Sequence, residues 1–129
     1  MYFVYYGHMK KNILLIDDDL EFCEEMTDIL SSEGYKTKVA NDGKTGARLV
    51  NGQKYDVIVL DFKMPGLDGV DVLRALSRSK RRPKIILASG RPSLAQLLKD
   101  EKLEGMVDFI ANKPFDPEVL VAKINTLCA

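Results

Sequence analysis

The sequence predicts an α/β fold: five short strands alternating with five helices, a doubly wound (βα)5 domain around a five-stranded parallel sheet. Three observations predict it. Apolar runs such as Ile13-Leu14-Leu15-Ile16 and Val57-Ile58-Val59-Leu60 show no polar alternation, as expected of strands buried on both faces. Segments of helical period separate these runs, and the connections between them are short. The runs also end abruptly in charge. Asp17-Asp18-Asp19 follows the first, Asp61 follows the second, and Asn112-Lys113-Pro114-Phe115 follows the run from Val107 to Ala111. In an open parallel sheet such strand ends share one edge, where ligands bind. Several carboxylates and one lysine should therefore meet there, and like charges so gathered need a cation.

Each element has a local cause. Ile13–Ile16 leads into an amphipathic helix from Leu20 to Ser32, with Phe22, Cys23, Met26, Ile29 and Leu30 on one face. Glu33-Gly34 ends it, with glycine on the C-terminal side where helices close. Tyr35–Ala40 alternates like a more exposed strand. Asp42-Gly43 turns into a short helix through Val50, stopped by Asn51-Gly52, and Tyr55–Leu60 is a buried strand. Pro65-Gly66 makes a loop before a helix from Leu67 to Ser79, with Val70, Leu73 and Leu76 inward. Lys84–Ala88 is the fourth strand, Ser89-Gly90 a turn, and Pro92 to Leu103 a helix opened by proline. Val107–Ala111 is the fifth strand. Asp116-Pro117-Glu118 starts the last helix with a capping acid and proline at its first position, and that helix runs to about Leu127.

A chain of 129 residues is one domain that can bury roughly two thirds of its unfolded surface. Lys+Arg and Asp+Glu both number 19, so no global field draws the chain to nucleic acid or an anionic membrane. No apolar stretch approaches the ~20 residues of a membrane span. The aromatic start, Met1 to Tyr6, has neither the basic region nor the cleavage site of a signal peptide. Gly7-His8-Met9 looks like a junction, so residues 1–8 read as a non-native or upstream extension and 9–128 as the domain. Cys23 and Cys128 are too few and too far apart for a metal knuckle, and fit reduced thiols in a cytoplasmic protein. His8 is the sole histidine, which excludes any mechanism needing a histidine pair.

The succession ILLIDDD, VIVLDFKMPGLDG, ILASG and FIANKPFDPE resembles the receiver domain of bacterial two-component response regulators over about residues 10–127. Each motif alone is weak. Four in order, each at a predicted strand end, are specific. The resemblance implies a flavodoxin-like sheet of order 2-1-3-4-5. It also implies a phosphoryl group accepted on Asp61 from a sensor histidine kinase or histidine phosphotransfer protein, with Mg²⁺. A lone carboxylate at a strand end can act as such a nucleophile, but it brings an anion toward an anion, so Asp17 and Asp18 are useful only if they hold a divalent metal. By the resemblance, Asp18 and Asp61 ligate Mg²⁺ directly, Asp17 acts through water, and the main-chain carbonyl of Lys63 completes the protein ligands. Lys113 would pair with the phosphoryl oxygens, and the Ser89 hydroxyl would move to hydrogen-bond them. Lys113-Pro114 would be cis. Capture of the phosphoryl group would shift the face around the fourth helix, fifth strand and fifth helix, through which copies dimerise or an output domain is engaged. Such a chain is a signalling domain, with self-dephosphorylation its only turnover.

Two features depart from the family pattern. The aromatic that follows the hydroxyl is usual three residues before the lysine; here that position is Ile110, and Phe109 lies one earlier. A residue inserted around Ala111-Asn112 or a bulged strand end would leave Phe109 as the switch aromatic. Lys63 and Arg91 are long cations beside the site, expected to slow or reshape access of the hydrolytic water. The basic run Arg78, Lys80, Arg81, Arg82 and Lys84 falls at a helix end, where cations favour the dipole, and reads as a solvated loop and not a nucleic-acid patch. Two rival readings are a receiver used only for protein contacts and an aspartyl-nucleophile phosphohydrolase. The second wants Asp-x-Asp-x-Thr, and Asp17-Asp18-Asp19-Leu20-Glu21 lacks the threonine.

Overall fold

A computed structural model of the chain describes residues 11–62, 64, 68–78, 82–90 and 92–129. The expectations for residues 1–8, Lys63, the Pro65-Gly66 loop, Lys80, Arg81 and Arg91 lie outside the described residues. The strands are β1 (Asn12–Ile16), β2 (Lys36–Ala40), β3 (Val57–Asp61), β4 (Lys84–Ser89) and β5 (Phe109–Asn112). They alternate with α1 (Leu20–Ser32), α2 (Gly43–Gly52), α3 (Gly69–Ser77), α4 (Leu94–Asp100) and α5 (Pro117–Cys128). All four strand pairings are parallel and the sheet order is β2-β1-β3-β4-β5, as the sequence implies.

Alternation along the strands sorts the core into two layers. Leu14, Ile16, Ile58, Leu60, Ile85 and Leu87 face Leu73 and Leu76 of α3 and Leu94 and Leu98 of α4. Ile13, Leu15, Val57, Val59 and Ile86 face Met26 and Leu30 of α1 and Leu120 and Ile124 of α5. With β1, β3 and β4 apolar on both faces, their polar groups can only stand at the ends, which is what gathers the acids on one edge.

The helix termini explain where expected and observed boundaries agree or part. Asp19, Asp42, Asp68 and Asp116 each cap a helix by accepting from main-chain N–H groups of the first turn. α1 closes with Tyr35 N donating to Leu30 O and Gly34 N to Ser31 O, and Gly34 takes the required left-handed φ of 93°. α2 carries on through Asn51-Gly52 and stops at Gln53. α4 is shorter than Pro92 to Leu103. It stops at Asp100 because Leu103 N returns to Leu98 O and Lys102 N to Lys99 O, with Lys102 at φ 58°. β5 begins at Phe109 and not Val107, after a 3-10 turn over Glu104–Met106.

Candidate functional site

The C-terminal ends of β1, β3, β4 and β5 place Asp17, Asp61, Ser89 and Lys113 together. Asp17 follows β1, and its N–H donates to Ala40 O at 3.0 Å, which continues the β1–β2 ladder one residue past the strand. Its carboxylate is buried, with Oδ1 accepting from Asp19 N at 3.0 Å. Asp19 turns away to cap α1, accepting from Phe22 N at 3.0 Å, so the triplet divides into two site acids and one cap. Asp18 is exposed. Asp61 closes β3, buried and in register with Ala88 of β4.

Oxygens of Asp17, Asp18 and Asp61 all lie within 4.8 Å of one another. The Lys113 ammonium reaches in from beyond β5, at 3.3 Å from Asp17 Oδ2 and 3.3 Å from Asp61 Oδ2. The Lys113 main-chain N–H donates to Ser89 O at 2.9 Å, and the Lys113-Pro114 peptide is cis. Burial raises the Asp17 pKa above the ordinary carboxylate value, helped by the Asp61 charge and opposed by the Asp19 N–H and the Lys113 charge. Burial pulls the Lys113 ammonium down, but the Asp17 and Asp61 carboxylates outweigh it and leave the pKa raised. Among the described residues one ammonium faces three carboxylates, which leaves that group short of positive charge. A carboxylate-only donor set of this spacing suits a hard divalent cation that takes oxygen ligands.

Ser89 ends β4 and is buried. It is in register with Asn112, and Leu87, two residues earlier on the same face, is in register with Ile110. That pairing corrects the expectation for Phe109. β4 and β5 pair one for one from Ile86↔Phe109 to Ser89↔Asn112, with no bulge. Ile110 therefore lies on the face of Ser89 and packs with the α3/α4 layer. Phe109 lies on the opposite face, packed with the α1/α5 layer, its ring 4.6 Å from Lys123 Nζ of α5. Phe109 therefore does not share the face of Ser89. The position behind Ser89 belongs to Ile110, which is not aromatic.

One neighbour of the site is absent from the sequence reading. Asn41 Nδ2 donates to Asp17 O at 2.9 Å and lies 3.6 Å from Cys23 Sγ, which itself donates to Asp17 O at 3.5 Å. Burial first, then the Asp17 charge, pushes the Cys23 thiol up to about 11, so it stays protonated and can donate. The signal was available: Asn41 is a polar residue directly after a strand, on the edge where Asp17 and Asp61 stand. At the rim, Phe22 of α1 and Phe115 after the cis proline meet edge to face at 5.5 Å.

A 2-1-3-4-5 parallel sheet with three acids, a serine and a lysine at its carboxyl edge defines a class of phosphoryl-accepting signalling domains. The comparisons agree. Residues 13–125 match the family model of the response regulator receiver domain, and the chain belongs to that family. It is 34% identical over 116 residues to the DNA-binding response regulator MtrA of Mycobacterium tuberculosis strain H37Rv, covering 90% of this chain and 50% of the relative. The chain thus spans about half the length of that relative. Among solved structures it resembles the receiver domain of Francisella response regulator 1452, with TM-score 0.78, 33% identity and coverage of 92% and 97% of the two chains. It also resembles the response regulator TrrA of Thermotoga maritima in complex with Mg²⁺-BeF, with TM-score 0.73, 27% identity and coverage of 91% and 98%. The chain is a receiver domain of two-component response regulators. No helix among the described residues is long and apolar enough to cross a membrane.

Proposed function

We propose that the chain is a phosphorylation switch in which Asp61 takes a phosphoryl group from the phosphohistidine of a sensor histidine kinase or a histidine phosphotransfer protein. The observation that carries this is the Lys113 ammonium held 3.3 Å from both Asp17 and Asp61 where β1, β3 and β5 end. A carboxylate oxygen of Asp61 attacks phosphorus, the bond to the donor imidazole breaks with its electron pair, and an acyl phosphate remains. Asp17, Asp18 and Asp61, with the main-chain carbonyl of Lys63, would hold Mg²⁺, which supplies positive charge for the phosphoryl oxygens. Lys113 then exchanges its Asp61 partner for a phosphoryl oxygen, and Ser89 donates its hydroxyl to another. Hydrolysis of the acyl phosphate in the same site resets the switch. The chain thereby dephosphorylates itself without being an enzyme toward another substrate.

The output face is that of α4, β5 and α5. An open groove of about 500 Å³ on this face, bordered by Ala95, Leu98, Lys99 and Ile110, supports that reading. A second copy or an output domain docks there in the phosphorylated state. Residues 9–128 form the receiver, with 1–8 an extension to it. The work is cytoplasmic. Contact with nucleic acid, as the name of the MtrA relative states for that protein, would belong to a segment outside this chain. Beryllofluoride, a mimic of the bound phosphoryl group, tests the reading. With Mg²⁺ it should shift the amide NMR resonances of Asp61, Ser89 and the α4-β5-α5 face; an unchanged spectrum would leave the receiver as a contact module only.

A further inference from the structure

We infer that Asn41 is a positioning residue of the acidic cluster: by holding the main-chain carbonyl of Asp17 it orients the Asp17 and Asp18 carboxylates and so sets the affinity for a divalent cation. The inference rests on the proposed function, in which this cluster holds Mg²⁺.

A carbonyl oxygen only accepts, so the amide nitrogen of Asn41 must be the atom that faces it, and the 2.9 Å contact fixes the side-chain orientation. The Asp17–Asp18 peptide is planar, so restraining its carbonyl also restrains its nitrogen and the direction in which the Asp18 Cα leaves. This matters because the two acids are held differently. Asp17 is buried and tied through its own N–H, through Oδ1 to Asp19 N and through Oδ2 to Lys113. Asp18 is exposed, and the main chain must place its carboxylate.

Asn41 is well anchored for this task. It follows the last residue of β2, and the next residue, Asp42, caps α2 by accepting from Thr45 N at 2.7 Å. Strand on one side and capped helix on the other leave its backbone little freedom. The second donor to the same carbonyl is the buried Cys23 thiol at 3.5 Å, a much weaker donor than an amide. Asn41 therefore provides most of the restraint, and the Cys23 thiol a weaker part.

Mg²⁺ titration followed by amide NMR, on the parent, Asn41→Ala and Cys23→Ala, tests this. Partners outside the ligand shell commonly change metal affinity 10- to 100-fold, and Asn41 acts one step further out, so its loss should weaken Mg²⁺ binding about tenfold. Cys23→Ala should weaken it by about twofold or less, in keeping with a weak S–H donor. Urea unfolding midpoints without metal, taken on the same samples, separate positioning from folding. Asn41→Ser, whose hydroxyl stops short of the carbonyl but suits the same turn, replaces Asn41→Ala if that variant does not fold. A Mg²⁺ affinity within about twofold of the parent in Asn41→Ala, or in Asn41→Ser where that replaces it, overturns the inference, whatever happens to the unfolding midpoint. A parent that shows no saturable Mg²⁺ binding overturns the metal reading itself.

Discussion

Lys113 acts in the metal-free protein as the cation its neighbours need. It sits 3.3 Å from each of two buried acids. The consequence for stability follows from the pKa directions. The Asp17 pKa is raised on folding, so this group favours the native state below its ordinary midpoint and loses that contribution as pH rises through the folded value. The Lys113 pKa is raised too, so its contribution is present through neutral pH and lost only as pH rises through its elevated alkaline value. Lys113→Met removes the charge that restrains the Asp17 pKa. Without metal, its urea unfolding midpoint should therefore fall more steeply than the parent's as pH rises above the ordinary carboxylate range. Parallel profiles would mean that Lys113 and the acids are not coupled. The placement of Asp17, Asp61 and Lys113 at one edge was legible because a charge directly after a two-face-buried apolar run must stand at the strand's end. Phe109 was not, because its assignment hung on a count back from the lysine. A single step along a strand moves a side chain to the other face, and only the β4–β5 register reveals which one Ser89 shares.

Among the elements, α4 departs most from its expected bounds, and the reason is a helix ending written without glycine. Lys102 occupies the left-handed position at φ 58° that Gly34 fills at the end of α1. The same pair of returning hydrogen bonds closes both helices. A lysine there carries Cβ strain that glycine lacks, offset in part by the greater freedom of glycine in the unfolded chain. Lys102→Gly should raise stability by about 0.5–1 kcal/mol in urea unfolding, with the fold unchanged. A loss of stability would show that the lysine side chain contributes more than its backbone costs. The late start of β5 has a comparable cause. Asp108 N donates to Ile85 O at 2.8 Å while Ile85 N donates to the Asp108 carboxylate at 2.8 Å, so a side chain takes the place of a ladder carbonyl just before the strand. Neither device leaves a pattern in hydrophobic periodicity. The apolar runs of β1, β3 and β4, buried on both faces, leave a plain one: β1 and β4 fall within a residue of their expected bounds, and β3 keeps its apolar run but starts at Val57 and not Tyr55.

At the scale of the whole molecule, one topological fact generates the site. Parallel strands share a carboxyl edge, and the 2-1-3-4-5 order puts β3 at the centre with β1 and β4 beside it. Asp61 therefore stands at the middle of that edge, with Asp17 to one side and Ser89 to the other. Lys113 crosses from the edge strand β5 to join them. This arrangement was the most legible part of the fold, since strand-end chemistry and strand order together dictate it. The Asn41 contact was not read, because it depends on how a loop residue turns inward. The proposal that unites these features is that this edge accepts a phosphoryl group at Asp61 and needs a divalent cation to do so. Intact-mass spectrometry after incubation with acetyl phosphate is its sharpest test, on the parent and Asp61→Asn, with Mg²⁺ or with EDTA. The mass gain of one phosphoryl group is expected in the parent with Mg²⁺ and in no other sample; an unmodified parent with Mg²⁺, or equal labelling of Asp61→Asn, would refute it.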